Sequence, residues 1–258
     1  MAVKHRRAVT KSTNTERIVS RLRNGLIVSC QAPETSPLRR SNIIAALALA
    51  AQGQGAVGVR VDGSSHIRAV AKAVSLPVIG IEKSHWDDSP VYITPTFASL
   101  RRVCRAGADV VALDATARPR PDDQSLEEII RRARREFSVP LIADVATLTE
   151  GLQAEELGFD LIATTLHGYT GCAQAGDSPA FGLLKSLVRR TSVPVILEGR
   201  VRTPDHLKRA FDLGAYAVVV GAAITGVEWL VRRFVEATPG LSSQEASLRT
   251  AKLPGSRP

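Results

Sequence analysis

The chain has 258 residues, of which 44% are hydrophobic, and a formal net charge of +9. This length suits one α/β barrel or two small domains, and the apolar content is ample for a large core. No run of about 18 apolar residues occurs, which excludes a membrane-spanning helix, and the basic N-terminus lacks the apolar segment of a secretory signal. The widely spaced Cys30, Cys104 and Cys172 form no C-x-x-C pair, so we expect no disulfide framework and a location in the reducing cytoplasm.

The positive charge is concentrated at the two ends of the chain. Residues 1–23 carry +6 and residues 238–258 carry +2, which leaves +1 for the body. Both ends are polar and lack helical or strand periodicity, so residues 1–21 are predicted to be a flexible basic arm and residues 238–258 a flexible polar tail. The nearly neutral body requires no polyanionic partner, so nucleic-acid binding is not expected, while a role of the arm in such binding stays open.

Short apolar runs alternate with amphipathic stretches along the body, residues 22–237. Strands are predicted to begin near Leu26, Ala56, Val78, Val110, Leu141, Leu161, Val195 and Ala217. Helices are predicted near residues 42–52, 65–74, 97–106, 125–137, 147–157, 181–190, 203–213 and 225–237. Eight strands, each followed by a helix, predict a single-domain α/β fold, the (β/α)8 TIM barrel. A doubly wound open sheet is the alternative, which the count of eight strand–helix units disfavours.

Polar side chains gather at the C-terminal ends of the predicted strands, where the active sites of such barrels lie. These strand-end residues are Gln31, Arg60, Lys83, Asp114, Asp144, Thr164, Thr165, Glu198 and Gly221. Strand alternation places Lys83 on the inward face with Ile79 and Ile81, and directs Glu82 toward the helices, where water or a helix cation would receive it. Folding alone does not require these polar groups at one rim of the barrel, so their position predicts a functional site there.

Lys83 lies beside isoleucines at the barrel mouth. Partial desolvation there lowers the pKa of a lysine and makes it a usable base or nucleophile. The alternative is a structural ion pair with Asp114 or Glu198. Asp144 and Glu198 also have an alternative role, because carboxylates at strand ends often cap the next helix.

Glycines follow the last two strands. Gly199 and Arg200 precede the seventh helix, and Gly221 and Ala222 precede the eighth. Free backbone donors and the helix dipole at such positions attract anions, so these four residues are predicted to bind a phosphate group. A plain tight turn is the alternative.

Ten segments follow one another in the order found in a known enzyme family. They are LIVSCQAP (26–33), SPLR (36–39), AVGVRVDG (56–63), VIGIEK (78–83), DSPVYITPT (88–96), VALDAT (111–116), IADVATLTEG (142–151), TTLHGYT (164–170), EGRVRTP (198–204) and GAYAVVVGAAIT (214–225). Together they resemble the N-acylglucosamine-6-phosphate 2-epimerases, also called N-acetylmannosamine-6-phosphate 2-epimerases. The resemblance runs from about Leu22 to Glu236.

The resemblance implies an isomerase that interconverts N-acetylmannosamine 6-phosphate and N-acetylglucosamine 6-phosphate, a step of sialic-acid catabolism. It implies that Lys83 is the catalytic lysine, which transfers a proton at carbon 2, and that Glu198 is the assisting carboxylate. The implied substrate-binding residues are Gln31, Arg60 and Asp144, and Thr164 and Thr165 are expected beside them. No metal or organic cofactor is expected, and a homodimer is the prior for such barrels.

The chain departs from the family pattern at the end of GAAIT. The family commonly continues with Arg-Pro, whereas this chain has Gly226 and Val227, so one charged contact is missing unless Arg200 or Arg202 compensates. Further departures are Glu82, Ser84 and His167. Two other functions stay open: a Schiff-base lyase or aldolase acting on a phosphosugar through the same lysine, and a non-catalytic sensor that binds a sugar phosphate.

Overall fold

Eight parallel strands close into a barrel in sequence order in the computed structural model, which describes residues 14–171 and 176–239. The strands are β1 Leu26–Cys30, β2 Gly58–Asp62, β3 Val78–Ile81, β4 Val110–Asp114, β5 Leu141–Asp144, β6 Leu161–Ala163, β7 Val195–Glu198 and β8 Ala217–Val220. β8 returns to pair with β1, where Leu26 faces Val218. The predicted TIM barrel is confirmed. The alternative of an open doubly wound sheet is wrong, because such a sheet has two unpaired edge strands and here β1 and β8 pair with each other.

Helices cover the outside of the barrel. They are α1 Asn14–Arg21, α2 Ser41–Gly53, α3 Ser64–Ala73, α4 Phe97–Arg105, α5 Leu126–Glu136, α6 Leu148–Glu156, α7 Phe181–Arg190, α8 Pro204–Asp212, α9 Ala222–Thr225 and α10 Val227–Glu236, with a 3-10 turn at Pro121–Asp123. A helix follows each strand, as predicted. Within the two described ranges, no helix is long and apolar enough to cross a membrane.

The core has two layers that follow from strand alternation. Ile79, Ile142 and Ile196 pack together inside the barrel, whereas Val111 and Leu197 pack in the layer between the strands and the helices. Parallel strands are buried on both faces, which explains their continuous apolar runs. On the same inward face, Asp144 follows Ile142, Glu198 follows Ile196, and Lys83 follows Ile79 and Ile81, so these polar side chains stand at the C-terminal rim.

Helix α1 closes the opposite end of the barrel, although the sequence analysis assigned its residues to a flexible basic arm. Ile18 and Val19 pack against the interior cluster, and the Tyr216 hydroxyl donates to the Val19 carbonyl at 3.1 Å. Leu22 is fully buried next to Gly58, where a Cβ would lie 2.8 Å from a Leu22 methyl. The apolar positions of this short helix are too few to give a periodic signal. The rest of the arm, residues 1–13, and the tail beyond residue 239 lie outside the described residues.

The predicted eighth helix, 225–237, is divided in two. Gly226 separates α9 from α10 and has non-helical dihedral angles, φ −85° and ψ 70°. A Cβ at this position would lie 2.8 Å from both the Cα and the carbonyl oxygen of Ala222, so the backbone leaves no room for a side chain. None of the residues of α10 is buried, and Phe234 is 77% exposed.

Candidate active site

The carboxylates at the ends of β5 and β7, Asp144 and Glu198, do not cap the helices that follow these strands. Thr147 caps α6 and Thr203 caps α8, each by accepting a hydrogen bond from the backbone N–H three residues later. Asp144 and Glu198 therefore point into the barrel instead of toward the next helix. The capping role considered from the sequence is wrong for both residues.

Arg60 joins these two carboxylates at the barrel axis. Its Nη2 donates to Asp144 Oδ2 at 2.6 Å, and its Nη1 donates to Asp144 Oδ1 at 3.1 Å and to Glu198 Oε2 at 2.9 Å. The Thr165 hydroxyl lies 2.7 Å from Asp144 Oδ1 and 3.2 Å from Glu198 Oε2. The Arg60 side chain is 1% exposed. Its ion pairs with Asp144 and Glu198 keep the buried guanidinium charged and fix its position. Its Nε has no hydrogen-bond partner among the described residues.

Lys83 stands at the rim beside this buried group. Its Nζ donates to Gln31 Oε1 at 2.7 Å, and the Gln31 amide donates in turn to the Ser29 hydroxyl at 2.9 Å. The Lys83 backbone N–H is held by Asp62 Oδ1 at 2.8 Å. The ion pairs found within residues 14–171 and 176–239 do not include Lys83, so the structural pair with Asp114 or Glu198 is wrong. Glu82 pairs with Arg102 of α4, as the alternation predicted.

The pKa values of Lys83 and Glu198 are shifted toward each other. Desolvation inside the cavity lowers the pKa of Lys83, with a smaller lowering effect from Arg60, although Asp62 and Glu198 oppose it. Burial raises the pKa of Glu198, and Asp144 adds to the effect, while Arg60 opposes it. These shifts increase the fraction of molecules in which Lys83 is neutral and Glu198 is protonated, which is the state that a base and an acid need.

A cavity of about 380 Å³ opens above these groups. The residues predicted from the sequence that line it are Gln31, Arg60, Lys83, Thr165, Glu198, Gly199, Arg200, Gly221 and Ala222. Asp144 lies beneath the cavity, fully buried against Arg60. Thr164 does not line the cavity, because its hydroxyl turns to the backbone of β7 and donates to the Glu198 carbonyl at 2.9 Å.

The β7–α8 loop forms one wall of the cavity. Gly199 and Arg200 both have positive φ, +106° and +57°, which folds the chain back after Glu198 and favours glycine at the first position. The Arg200 guanidinium donates to the carbonyls of His167 and Ser178 and lies 5.1 Å from the ring of Tyr169. Arg200 therefore stabilises the neighbouring loop. Although Arg200 lines the cavity, its guanidinium is already bonded to two carbonyl oxygens.

Tyr92 also lines this cavity, although no pattern in the sequence indicates it as a site residue. The segment after β3 folds back on itself, so that Lys83 forms an antiparallel bridge with Ile93 and the Ser84 N–H donates to the Tyr92 carbonyl at 3.0 Å. The Tyr92 ring stacks on His85 at 5.7 Å between centroids. Burial and the nearby Asp144 and Asp114 raise the pKa of its hydroxyl, so it is a proton donor at neutral pH. Strand periodicity contains no signal for a residue carried by a folded loop.

A second cavity, of about 540 Å³, adjoins the first. Gln31, Lys83 and Trp229 line both, and Arg39 and Asp62 form part of its far side. Lys83 thus stands between the two spaces. An elongated, polar ligand that fills both would place its middle at the Lys83 ammonium.

Residues 44–239 match a family model with the description "Putative N-acetylmannosamine-6-phosphate epimerase". A protein of Cutibacterium acnes named "Putative N-acetylmannosamine-6-phosphate 2-epimerase" is 49% identical over 213 residues, which are 82% of this chain and 92% of that protein. A protein of the same name from Caldanaerobacter subterraneus subsp. tengcongensis is 45% identical over 219 residues, 84% of this chain and 92% of its own.

The solved structure of the N-acetylmannosamine-6-phosphate 2-epimerase from Clostridium perfringens is also similar. It superposes with a TM-score of 0.84 at 38% identity and covers 89% of this chain and 100% of that chain. The similarity thus extends through the barrel and includes the strand ends that build the cavity.

Proposed function

This chain belongs to the N-acetylmannosamine-6-phosphate epimerase family, and on that basis we propose that it interconverts N-acetylmannosamine 6-phosphate and N-acetylglucosamine 6-phosphate by proton transfer at carbon 2. The observation that carries the proposal is the pairing of Lys83 and Glu198 in one cavity with pKa shifts of opposite direction. A base and an acid beside each other are what inversion next to a carbonyl needs.

The reaction requires an acidic hydrogen. Opening of the sugar ring places an aldehyde beside carbon 2 and acidifies its hydrogen. Neutral Lys83 removes that proton while protonated Glu198 donates a proton to the aldehyde oxygen, which gives an enol. A substrate hydroxyl on the opposite face then gives its proton to carbon 2 and is reprotonated by the Lys83 ammonium, while Glu198 takes its proton back from the enol oxygen. These transfers yield the other epimer and restore Lys83 and Glu198.

The surrounding side chains support this chemistry through position. Arg60 fixes the Glu198 carboxyl and, through Asp144, is itself fixed, so the acid needs little reorganisation. We assign Gln31, Thr165 and Arg60 to the hydroxyl and acetamido groups of the sugar. We assign the phosphate to the backbone of the wall formed by Gly199, Arg200, Gly221 and Ala222. Asp144 acts through Arg60 and not by direct contact.

The test follows the hydrogen on carbon 2. The protein is incubated with N-acetylmannosamine 6-phosphate in deuterated water, and the carbon-2 proton is followed by NMR. The gluco epimer is expected to appear with deuterium at carbon 2. Lys83→Ala is expected to reduce this exchange by about 100- to 10,000-fold, whereas Lys185→Ala, on the outer surface of α7, is expected to retain it. Binding of the sugar phosphate without exchange or epimer would contradict the proposal and favour the sensor.

The Schiff-base reaction is the competing chemistry, since the lowered pKa of Lys83 would also suit an amine nucleophile. Treatment with borohydride in the presence of substrate separates the two. We expect the protein mass to stay unchanged, because a lysine that only transfers protons forms no imine. A mass increase equal to the reduced sugar adduct, lost in Lys83→Ala, would favour the lyase or aldolase.

We also propose a homodimer formed through α10. Its Val231 and Phe234 are 54% and 77% exposed, and Val227 and Val235 are exposed beside them. A contiguous apolar face of this kind marks an interaction surface, and a second copy of the same chain is the commonest partner of soluble barrels.

The location and the pathway follow from the proposed substrate. A phosphorylated amino sugar is an intermediate of amino-sugar and sialic-acid breakdown in the cytoplasm, and we place the chain there. The free thiols of Cys30 and Cys104 are compatible with a reducing compartment.

A further inference from the structure

Among the described residues, four cationic side chains line the 380 Å³ cavity, and three of them are occupied by other groups. Arg60 is bonded to two buried carboxylates, Lys83 to Gln31, and Arg200 to two backbone carbonyls. The fourth, Arg202, has one ionic partner, Asp177, at 3.3 Å. Among the residues that the structure describes, Arg202 is therefore the cavity cation most easily recruited by an anionic ligand.

The ion pair between Arg202 and Asp177 is weak because water surrounds it. The Asp177 side chain is 96% exposed and that of Arg202 is 33% exposed, so water and salt screen the pair. The distance is also longer than that of a well-formed charge-assisted hydrogen bond. A dianionic phosphate in the cavity would replace this single contact by a stronger one.

Trp229 holds the Arg202 guanidinium beside the cavity. The guanidinium carbon lies 5.7 Å from the centre of the indole ring, and Trp229 lines both cavities. An arginine over an aromatic face loses less freedom on binding an anion than a free side chain. The Arg202 backbone N–H faces His206 Nδ1 at 3.4 Å, at the first turn of α8, which ties the loop to the helix.

The α9–α10 junction contributes no cation at Gly226. Gly226 has no room for a Cβ, so this backbone does not present a charged side chain there. Among the described residues that line the cavity above Arg60, the cations other than Arg60 and Lys83 are Arg200 and Arg202, both from the β7–α8 loop.

We propose that Arg202 binds the phosphate group of the substrate and that Asp177 is an internal competitor that this phosphate displaces. The identity of the anion rests on the proposed function, while the assignment of Arg202 rests on the contacts given above. Arg202 is in this view a specificity residue: it separates phosphorylated from unphosphorylated sugars and has no part in the proton transfer.

The test uses Arg202→Gln and a matched control, Arg233→Gln. Arg233 lies 4.8 Å from the centre of the same indole ring but does not line either cavity. The dissociation constant of inorganic phosphate is measured by calorimetry, and KM and kcat are measured with N-acetylmannosamine 6-phosphate and with unphosphorylated N-acetylmannosamine. Arg202→Gln is expected to weaken phosphate binding and raise KM for the phosphorylated sugar about 10- to 100-fold. The kcat value, and turnover of the unphosphorylated sugar, are expected to change by less than about twofold.

Asp177→Asn gives the sharper prediction, because its effect has the opposite sign. Removal of the competitor is expected to tighten phosphate binding about two- to threefold, and this gain is expected to vanish in the Arg202→Gln background. Unchanged phosphate binding by Arg202→Gln, an equal loss in Arg233→Gln, or weaker binding by Asp177→Asn would each overturn the inference. Calorimetry does not need turnover, so a wild type that binds phosphate but does not epimerise would defeat the proposed function alone.

Discussion

The Lys83 ammonium is held at 2.7 Å by the side-chain carbonyl of Gln31, a neutral acceptor. A carboxylate at this position would favour the charged amine strongly, whereas an amide favours it less. The contact thus orients the amine without cancelling the lowering of its pKa by desolvation. A glutamine at this position therefore leaves the lowering of the Lys83 pKa in place, whereas a glutamate would oppose it.

Gln31→Glu is therefore expected to raise the pKa of Lys83 and to depress turnover at neutral pH. Neutral Lys83 is required, so activity rises with pH as the ammonium loses its proton. A higher pKa moves this acid limb of the kcat/KM profile to higher pH, and activity is expected to recover in alkaline buffer. The measurement is the pH profile of kcat/KM for the wild type, Gln31→Glu and the exposed control Gln54→Glu. An acid limb at the wild-type position in Gln31→Glu would show that Lys83 does not set it.

Arg60→Met is expected to destabilise the fold, because it leaves Asp144 and Glu198 buried without their cation. Removal of one partner from a buried ion pair typically costs about 3–5 kcal/mol. Urea denaturation measures the free energy of unfolding, and Arg101→Met, which opens the exposed pair with Glu136, is expected to cost less than about 1 kcal/mol.

The double variant Arg60→Met with Asp144→Asn separates charge from packing. If the loss comes from unpaired charge, the neutral amide is expected to recover part of the stability. A double variant no more stable than Arg60→Met alone would assign the loss to packing of the arginine stem.

Tyr92→Phe is expected to lower kcat/KM about three- to tenfold, the size of one neutral hydrogen bond. Tyr92 lines the cavity, and the side-chain hydrogen bonds found in the described part of the chain do not include its hydroxyl. The matched control is Tyr216→Phe, whose hydroxyl bonds to Val19 at the closed end of the barrel. Equal kinetics of Tyr92→Phe and wild type would exclude a contact between this hydroxyl and the substrate.

The sequence predicted those parts of the molecule that follow from strand periodicity. Alternation with a period of two fixes which face of β3, β5 and β7 is inward, so the sequence places Lys83, Asp144 and Glu198 at one rim of the barrel. It does not fix which inward residues reach the cavity. Thr164 and Thr165 are neighbours, and the one that enters the cavity is decided by the turn after β6.

Features that depend on loops were beyond sequence reasoning. Tyr92 reaches the cavity because the segment after Lys83 folds back on itself, and no periodic pattern marks such a fold. The sequence predicted Arg200 as a phosphate-binding residue and named Arg202 only as a replacement for a missing cation. The Arg200 guanidinium is bonded to the carbonyls of His167 and Ser178, whereas Arg202, which lines the same cavity, pairs with the exposed Asp177.

Phe234→Glu is expected to convert the proposed dimer into a monomer. The exposed face of α10 is apolar, and a dimer would bury Phe234 and Val231 from both copies, so a charge there would be desolvated without a partner. Light scattering after size exclusion measures the mass, which is expected to be twice the chain mass of 27.6 kDa for the wild type and equal to it for the variant. Ser65→Glu adds the same charge on the exposed surface of α3 and is expected to leave the dimer intact. A wild type that stays monomeric at high protein concentration would contradict the homodimer, and a dimeric Phe234→Glu would move the interface away from α10.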